Sequence, residues 1–390
     1  MKKFTKVISV IAATAMVMAM MTGCGGKKDT LQGDPNATSF KIGGIGPITG
    51  GAAIYGQAVK NAAQLAIDEI NEAGGVNGYT LEMNFQDDEH DAEKSVNAYN
   101  TLKDWGVQIV MGSVTSDPCI AVSAKTKEDN VFQITPSGSA VDCVKYDNAF
   151  RICFSDPNQG AASAKYIGQN GLASKVAIIY DSGTTYSSGI YESFVAEAVN
   201  WDFEVVAAES FTEGNNTDFS VQLQKAKDAG ADLVFLPIYY QEASSILKQA
   251  DAMGYAPKFF SCDGMDGILT VENFDTSLAE GVMLLTPFAA DATDDLTVAF
   301  VTSYEEKFGD VPNQFAADAY DAIYTIKAAL EKSGAKATMG ASELCEALKS
   351  AMLEIKVDGL TGSGMTWTAD GEPNKDPKAV VIEGGVYKAM

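Results

Sequence analysis

Three groups of residues in this sequence could do chemistry. The first is its lone histidine, His90, in Asp87-Asp88-Glu89-His90-Asp91. A Ser-His-Asp triad would have to use it. Its acidic neighbours after a β-rich run indicate a solvated loop, where neither catalysis nor metal ligation is expected. GxSxG and the phosphate loop ending in Gly-Lys-Ser/Thr are absent, and Gly44-Ile45-Gly46-Pro47-Ile48-Thr49-Gly50 has the wrong glycine spacing and a proline for a dinucleotide fingerprint. No cofactor is implied, and the chain is not expected to be an enzyme.

The second group could hold an anion. Arg151 is the only arginine, so a guanidinium fork on a carboxylate would have to be built on it. Hydroxyls and backbone N–H groups at helix N-termini can do the same work. Two stretches offer them: Ser116-Asp117-Pro118 and Thr135-Pro136-Ser137-Gly138-Ser139. Ordinary helix capping is the other use for such residues. The third group suits a cation beside apolar surface: Tyr186, Tyr239 and Tyr240, with Asp263-Gly264. A carboxylate facing a cleft without a partner is costly, so Asp263 is expected to meet a cationic ligand group, although Asp-Gly also makes turns.

Elements that would position these residues are legible. Short β-rich runs (Phe40 to Gly46, Tyr79 to Phe85, Gln108 to Gly112, Val131 to Thr135, Lys175 to Asp181, Phe203 to Phe211, Ala231 to Tyr240, Lys258 to Cys262, Gly281 to Thr286) alternate with amphipathic stretches that end in glycine. This is the pattern of an α/β fold with parallel sheets. In the first helical stretch Val59, Ala63, Ala66, Ile67 and Ile70 share a face before Gly74-Gly75, and Gln314 to Gly334 reads likewise. Lys41 to Ala73 and Lys175 to Trp201 each run strand, polar loop, Tyr, helix, which suggests two similarly built lobes with loops at the carboxyl ends of parallel strands around a cleft.

The chain opens with Lys2, Lys3 and Lys6, an apolar run from Val7 to Met21, and Cys24. The run is too short to span a membrane and reads as a cleaved signal. Loss of its three lysines takes the net charge from −24 to −27, which repels nucleic acid and anionic lipid headgroups. A mature chain of about 350 residues exceeds one ordinary core, so two domains are expected. Besides Cys24 there are Cys119, Cys143, Cys153, Cys262 and Cys345 with no CxxC spacing, which excludes zinc-site and thioredoxin-like readings. Cys143 and Cys153 could form a disulfide across a short loop or remain buried thiols.

Taken together, the motifs resemble the periplasmic leucine/isoleucine/valine-binding proteins and their lipoprotein relatives. The resemblance rests on Lys41 to Gly50 with Tyr55-Gly56, Ala66 to Asn71 with Gly74 to Gly78, Asp87-Asp88, Ile134 to Ser137, and Phe150-Arg151 before Asp156 and Gln159-Gly160. Met21-Thr22-Gly23-Cys24 resembles a bacterial lipobox, with the usual Leu and Ala/Ser replaced. Lipidation of Cys24 would anchor the protein to the extracytoplasmic face of the membrane. The resemblance implies two parallel-sheet lobes with three crossovers: 1–23 signal, 24–39 tether, 40–155 plus 287–377 the N-terminal lobe, and 156–286 plus 378–390 the C-terminal lobe. It implies that Ser116, Ser139 and the Ser137 backbone hold a ligand carboxylate, that Asp263 and Ser137 receive its ammonium, and that Tyr55, Tyr186, Tyr239 and Phe315 wall the side-chain pocket. Ser139 and Asp263 stand where Thr and Glu are familiar. The expected partners are a small amino acid and the permease and ATPase subunits of an ABC importer, with the binding protein itself monomeric. Binders of short amides, urea or aromatic acids, and accessory ligand sensors, share the architecture.

Overall fold

The computed structural model describes residues 30–390. Within them the chain repeats one unit, a short buried strand, a loop and a helix with one apolar side. Strand β1 (Ser39–Gly46) leads to helix α1 (Ala53–Glu72), β2 (Thr80–Asp87), α2 (Ala92–Trp105), β3 (Ile109–Gly112), α3 (Ser116–Asp129), β4 (Phe132–Thr135) and β5 (Ala149–Arg151). These strands form a five-stranded parallel sheet in the order β2-β1-β3-β4-β5. The chain then crosses to α4 (Asp156–Gln169), β6 (Lys175–Asp181), α5 (Thr185–Ala198), β7 (Glu204–Phe211), α6 (Ser220–Asp228), β8 (Leu233–Leu236), α7 (Tyr240–Ala252), β9 (Lys258–Ser261) and β10 (Met283–Thr286). It returns for α8 (Asp295–Phe308), α9 (Gln314–Ser333) and α10 (Ala341–Met352), and crosses a third time to β11 (Lys378–Glu383) and β12 (Val386–Ala389). The second sheet has seven strands in the order β12-β11-β10-β9-β8-β6-β7.

The central strands are apolar on both faces because helices cover both: Ile109, Val110 and Met111 of β3 pair with Phe132, Gln133 and Ile134 of β4, all buried. Helix α9 shows how sequence fixes the cover. The Asn313 side chain accepts from Ala316 N at 3.1 Å and starts it, Gly334 at φ 64° stops it, and Ala319, Ile323, Ile326 and Leu330 are buried between, against α1. Truncating Ile323 to alanine would cost about 2–5 kcal/mol.

The two lobes and three crossings agree with the expectation, with local departures. The strand expected over 231–240 ends at Leu236, and Tyr240 opens α7. The second sheet is not wholly parallel: β11 and β12 form an antiparallel hairpin on β10, turning at Gly384-Gly385. Residues 30–38 lie on the first lobe, where Thr30 donates to Lys103 O and Ala341 N donates to Leu31 O at 2.9 Å. The signal and Cys24 fall outside the described residues.

Candidate functional site

The chemistry-bearing residues sit at the carboxyl ends of the strands, where loops can leave a parallel sheet without disturbing it. In the first lobe Tyr55 follows β1, Ser116 follows β3, and Ser137 and Ser139 follow β4; in the second, Tyr186 follows β6, Tyr239 follows β8 and Asp263 follows β9. Phe315, in the first turn of α9, comes in from the second crossing. Close approach is built in at Gly56, where a Cβ would lie 1.9 Å from Pro47 O, so Tyr55 can be held hard against its own loop only with glycine beside it.

Six of the eight residues meet in one cavity: Tyr55, Ser137, Tyr186, Tyr239, Asp263 and Phe315 line it with Val114, Thr115 and Gly264. The aromatic wall is continuous. Tyr55 packs on Phe315 at 4.1 Å between ring centroids, Tyr186 stacks on Tyr239 at 4.8 Å, and Tyr55 and Tyr239 meet edge to face at 5.5 Å. The hydroxyls of both lobes are used. Tyr55 Oη donates to Gly264 O and accepts from Tyr240 N at 3.3 Å, while Tyr186 Oη donates to Asp263 Oδ1 at 2.7 Å and accepts from Gly264 N at 2.9 Å. The enclosed space, about 10 Å³, has room for one water and not for an amino-acid side chain. A ligand can therefore enter only when the lobes part.

Asp263 is buried at the carboxyl end of β9. Burial pushes its carboxyl up to about 7, against the opposing pull of the Tyr186 hydroxyl bond. No lysine or arginine pairs with it among the described residues. Its main chain is tied to both lobes: Asp263 N donates to Gln159 Oε1 at 3.2 Å, and Asp263 O accepts from Gln314 Nε2 at 3.0 Å.

The anion-holding side is arranged differently from the simplest expectation. Ser116 and Ser139 are buried but do not line the cavity: Ser116 Oγ accepts from Ala140 N at 3.2 Å, and Ser139 Oγ is unpartnered. Ser137 Oγ donates to Val114 O at 2.7 Å. Helices α1, α3 and α7 present N-termini to the cleft without a capping side chain. Tyr240 N of α7 is taken by Tyr55 Oη and Ile54 N of α1 meets Tyr240 Oη at 3.5 Å, which leaves α3 as the end open to an anion. Arg151 is not free to fork onto a ligand. It is fully buried, and its guanidinium donates to the carbonyls of Gly138, Ala140 and Val141 at 3.2, 3.0 and 3.4 Å and to Ser139 O at 2.5 Å, with Glu372 at 3.1 Å. The single arginine thus shapes the loop that carries Ser137 and Ser139.

His90 corrects the sequence reading. In the turn after β2 it is half-buried at the cleft rim rather than fully solvated, with Nδ1 2.8 Å from Thr115 Oγ1 and its ring edge-on to Tyr239 of the opposite lobe at 5.4 Å. Burial lowers its pKa, which keeps the imidazole neutral at neutral pH. It also occupies the hydroxyl that would otherwise cap α3. Beside it opens a cavity of about 480 Å³ at the mouth of the cleft, lined by Glu89, Asp117, Asp181, Glu213 and Glu242 among others. Here the lobes touch: Thr185 donates from its hydroxyl to Asp117, and from its backbone N at 3.4 Å. Asp156 and Gln159, at the first crossing, entered the sequence reading only through family likeness. Both Asp156 oxygens and Gln159 Nε2 are buried and unpartnered, and burial pushes the Asp156 carboxyl well up. No local pattern distinguishes them from a helix start; the signal was two polar side chains three apart on a face that packs inward.

With this geometry in view, comparison with known proteins is decisive. Residues 39–385 match the family model described as periplasmic binding protein. The chain belongs to that family. It is 31% identical over 75% of its length, and 79% of the relative's, to Leu/Ile/Val-binding protein homolog 3 of Brucella melitensis. It superposes on the branched-chain amino acid transporter substrate binding protein LivJ of Streptococcus pneumoniae, solved with isoleucine, with a TM-score of 0.82 at 29% identity over 90% of this chain and 98% of that one. An R. palustris solute binding protein solved with benzoate matches in fold, with a TM-score of 0.80 at 19% identity over 90% and 95% of the two chains. A family of periplasmic binding proteins implies an extracytoplasmic location. No helix among the described residues is long and apolar enough to cross a membrane.

Proposed function

We propose that this protein is the solute-binding component of an ABC importer and that it closes on a small zwitterionic amino acid with a branched aliphatic side chain. The observation that carries this reading is Asp263, a buried carboxylate without a cationic partner, facing first-lobe elements rich in hydroxyl and N–H donors. An ammonium group supplies the missing charge and a carboxylate suits the donors opposite. The aromatic wall takes the side chain. In this mechanism the open form captures ligand on the first lobe through Ser137, which lines the cavity, and through the Ser116 and Ser139 hydroxyls once parting of the lobes uncovers them, and closure brings Tyr186, Tyr239 and Asp263 onto it. A micromolar affinity needs only about 8 kcal/mol, which a few charged hydrogen bonds beside apolar burial supply. The names of the Brucella relative and the isoleucine in the Streptococcus structure support the ligand class. We further propose that Cys24 carries the lipid anchor, that the protein is a monomer, and that permease and ATPase subunits receive the closed form.

A thermal-shift panel of leucine, isoleucine, valine, alanine, phenylalanine, benzoate, urea and acetamide tests this. A ligand at one hundred times its Kd stabilises by about 2.7 kcal/mol, a rise of a few degrees in Tm. Shifts with the aliphatic amino acids are expected. Shifts only with urea, acetamide or benzoate would refute the zwitterion reading, since neither amides nor benzoate bring an ammonium to Asp263.

A further inference from the structure

Five cysteines lie among the described residues, all buried thiols in this structure. Cys153, Cys262 and Cys345 are scattered through the fold; Cys262 Sγ meets Ser163 Oγ at 3.5 Å and Cys345 Sγ meets Asn130 Oδ1 at 3.6 Å. Cys119 and Cys143 are different. They form a small apolar cluster of their own with Ala140, behind the loop that carries Ser137 and Ser139. Cys119 lies one turn beyond Ser116 on α3, and Cys143 lies in the short 3-10 turn Val141–Val144 that ends the loop. Cys143 Sγ donates to Ser116 O at 3.6 Å, and Cys119 Sγ accepts from Gln133 Nε2 at 3.6 Å. The packing is tight, since a Cβ on Gly138 would stand 2.9 Å from Cys119 Sγ.

We propose that Cys119 and Cys143 are a disulfide site that ties the first turn of α3 to the ligand loop. This pairing replaces the Cys143–Cys153 bridge that chain spacing allows, because none of the contacts around Cys143 involves the Cys153 thiol. The thiolate of one cysteine attacks the disulfide of an extracytoplasmic thiol oxidant, and the other cysteine resolves the mixed disulfide. Two S–H bonds break and one S–S bond forms. The two electrons and two protons leave with the oxidant, which departs as a dithiol. Because both thiols are buried, exchange takes place while the exported chain folds. The bridge encloses β4 and the whole 136–140 loop, so it fixes Ser116 relative to Ser137 and Ser139 whichever solute is bound.

The test uses full-length protein recovered from the extracytoplasmic side of expressing cells, unfolded without reductant and alkylated, then reduced and alkylated with a second reagent. Peptide mass spectrometry should find the second label on Cys119 and Cys143 and the first on Cys153, Cys262 and Cys345. The unreduced digest should contain one cross-linked species joining the segments around 119 and 143, lighter by two hydrogens. First label on all five, or protection of a pair that includes Cys153, overturns the proposal. As a second measurement, reducing the wild type should lower Tm by about 5 °C or more for a ring of this size, while Cys119→Ser/Cys143→Ser should show no reductant effect. Equal reductant sensitivity in both proteins also counts against it. Neither readout depends on the identity of the solute.

Discussion

Replacing Asp263 by asparagine separates charge from shape at the centre of the site. The structure sets the scale from two sides. Burial raises the Asp263 carboxyl from 3.8 to about 7, so the ionised form is disfavoured in the closed cleft until a cation meets it. An ammonium that pairs with it must overcome that cost, and removing the charge forfeits the net gain of the pair. Truncating one partner of a buried charged pair costs about 3–5 kcal/mol, because the other charge is left unpaired. An amide oxygen recovers part of this, so the net loss should be at least about 1.4 kcal/mol, tenfold in Kd. Asp263→Ala, which also removes the acceptor for Tyr186, should lose more. Titration calorimetry with leucine, isoleucine or valine reads it directly, and circular dichroism checks that the variants fold. Unchanged affinity in Asp263→Asn would remove the acid from ammonium recognition and with it the zwitterion argument.

Further expectations follow from the same geometry. The Asp263 pKa is raised in the closed form relative to a hydrated carboxyl, so the closed form is favoured at low pH and loses that advantage as pH rises through about 7; scattering or fluorescence transfer on the empty protein should find more closed molecules at pH 5.5 than at pH 8, and Asp263→Asn should reduce the difference, with Asp156, raised in the same direction, carrying the remainder. Arg151→Met would leave Gly138 O dry and unpair Glu372, while Ser139 O and Ala140 O keep Asp156 N and Cys143 N as donors; at about 1–3 kcal/mol for a group left dry, a loss of that size in denaturant unfolding is expected, against little change if the loop is held by packing alone. Lys375 Nζ, at the third crossing, reaches Asp318 Oδ1 at 2.8 Å, Thr361 Oγ1 at 2.6 Å and Ile152 O at 3.1 Å, all buried, so Lys375→Met should destabilise by about 3–5 kcal/mol; a melting temperature within a degree of wild type would contradict that. Thr185→Val removes the hydroxyl bond to Asp117 and keeps the weaker backbone one, and should speed ligand release a few-fold with association unchanged in stopped flow, whereas an equal change in both rates would argue against a closed-state latch.

The legible part of this fold follows from periodicity. Strands buried on both faces read as apolar runs, and the loops after them held the residues that converge, because the carboxyl end of a parallel strand is the one place a polar loop can reach the crevice. Tyr55, Tyr186, Tyr239 and Asp263 were accessible in this way, whereas Phe315, in the first turn of α9, came only from the family resemblance. What escaped depends on distant partners. His90 reads as solvated from Asp87, Asp88 and Asp91, yet its surroundings are made by Thr115 and by Tyr239 of the other lobe. Arg151 has no role legible from sequence beyond being the only residue on which a guanidinium fork could be built; its acceptors are backbone carbonyls 10 to 13 residues back, which carry no side-chain signature. The β11–β12 hairpin did leave a signal, Gly384-Gly385 between β-rich runs, of the kind that supplies the positive φ a tight turn needs.

The distribution of buried acids separates architecture from function. Asp321 holds Leu360 N and Thr361 N at 2.9 Å, and Asp318 is paired with Lys375; these acids are satisfied by the fold and stiffen the crossings. At the cleft the pattern reverses. Both oxygens of Asp156, Ser139 Oγ and Gln159 Nε2 are buried with no close hydrogen bond, Asp156 facing Ser139 and Gln159 facing Asp263, and Asp263 has no cation. A buried polar group left poorly paired costs about 1–3 kcal/mol, so the closed cleft carries a penalty that parting the lobes relieves by hydration. Closure becomes favourable only when something entering the cleft supplies hydrogen-bonding groups and a positive charge there. A solute-binding protein needs this bias, because a transporter that answers to the closed form must not be offered an empty one.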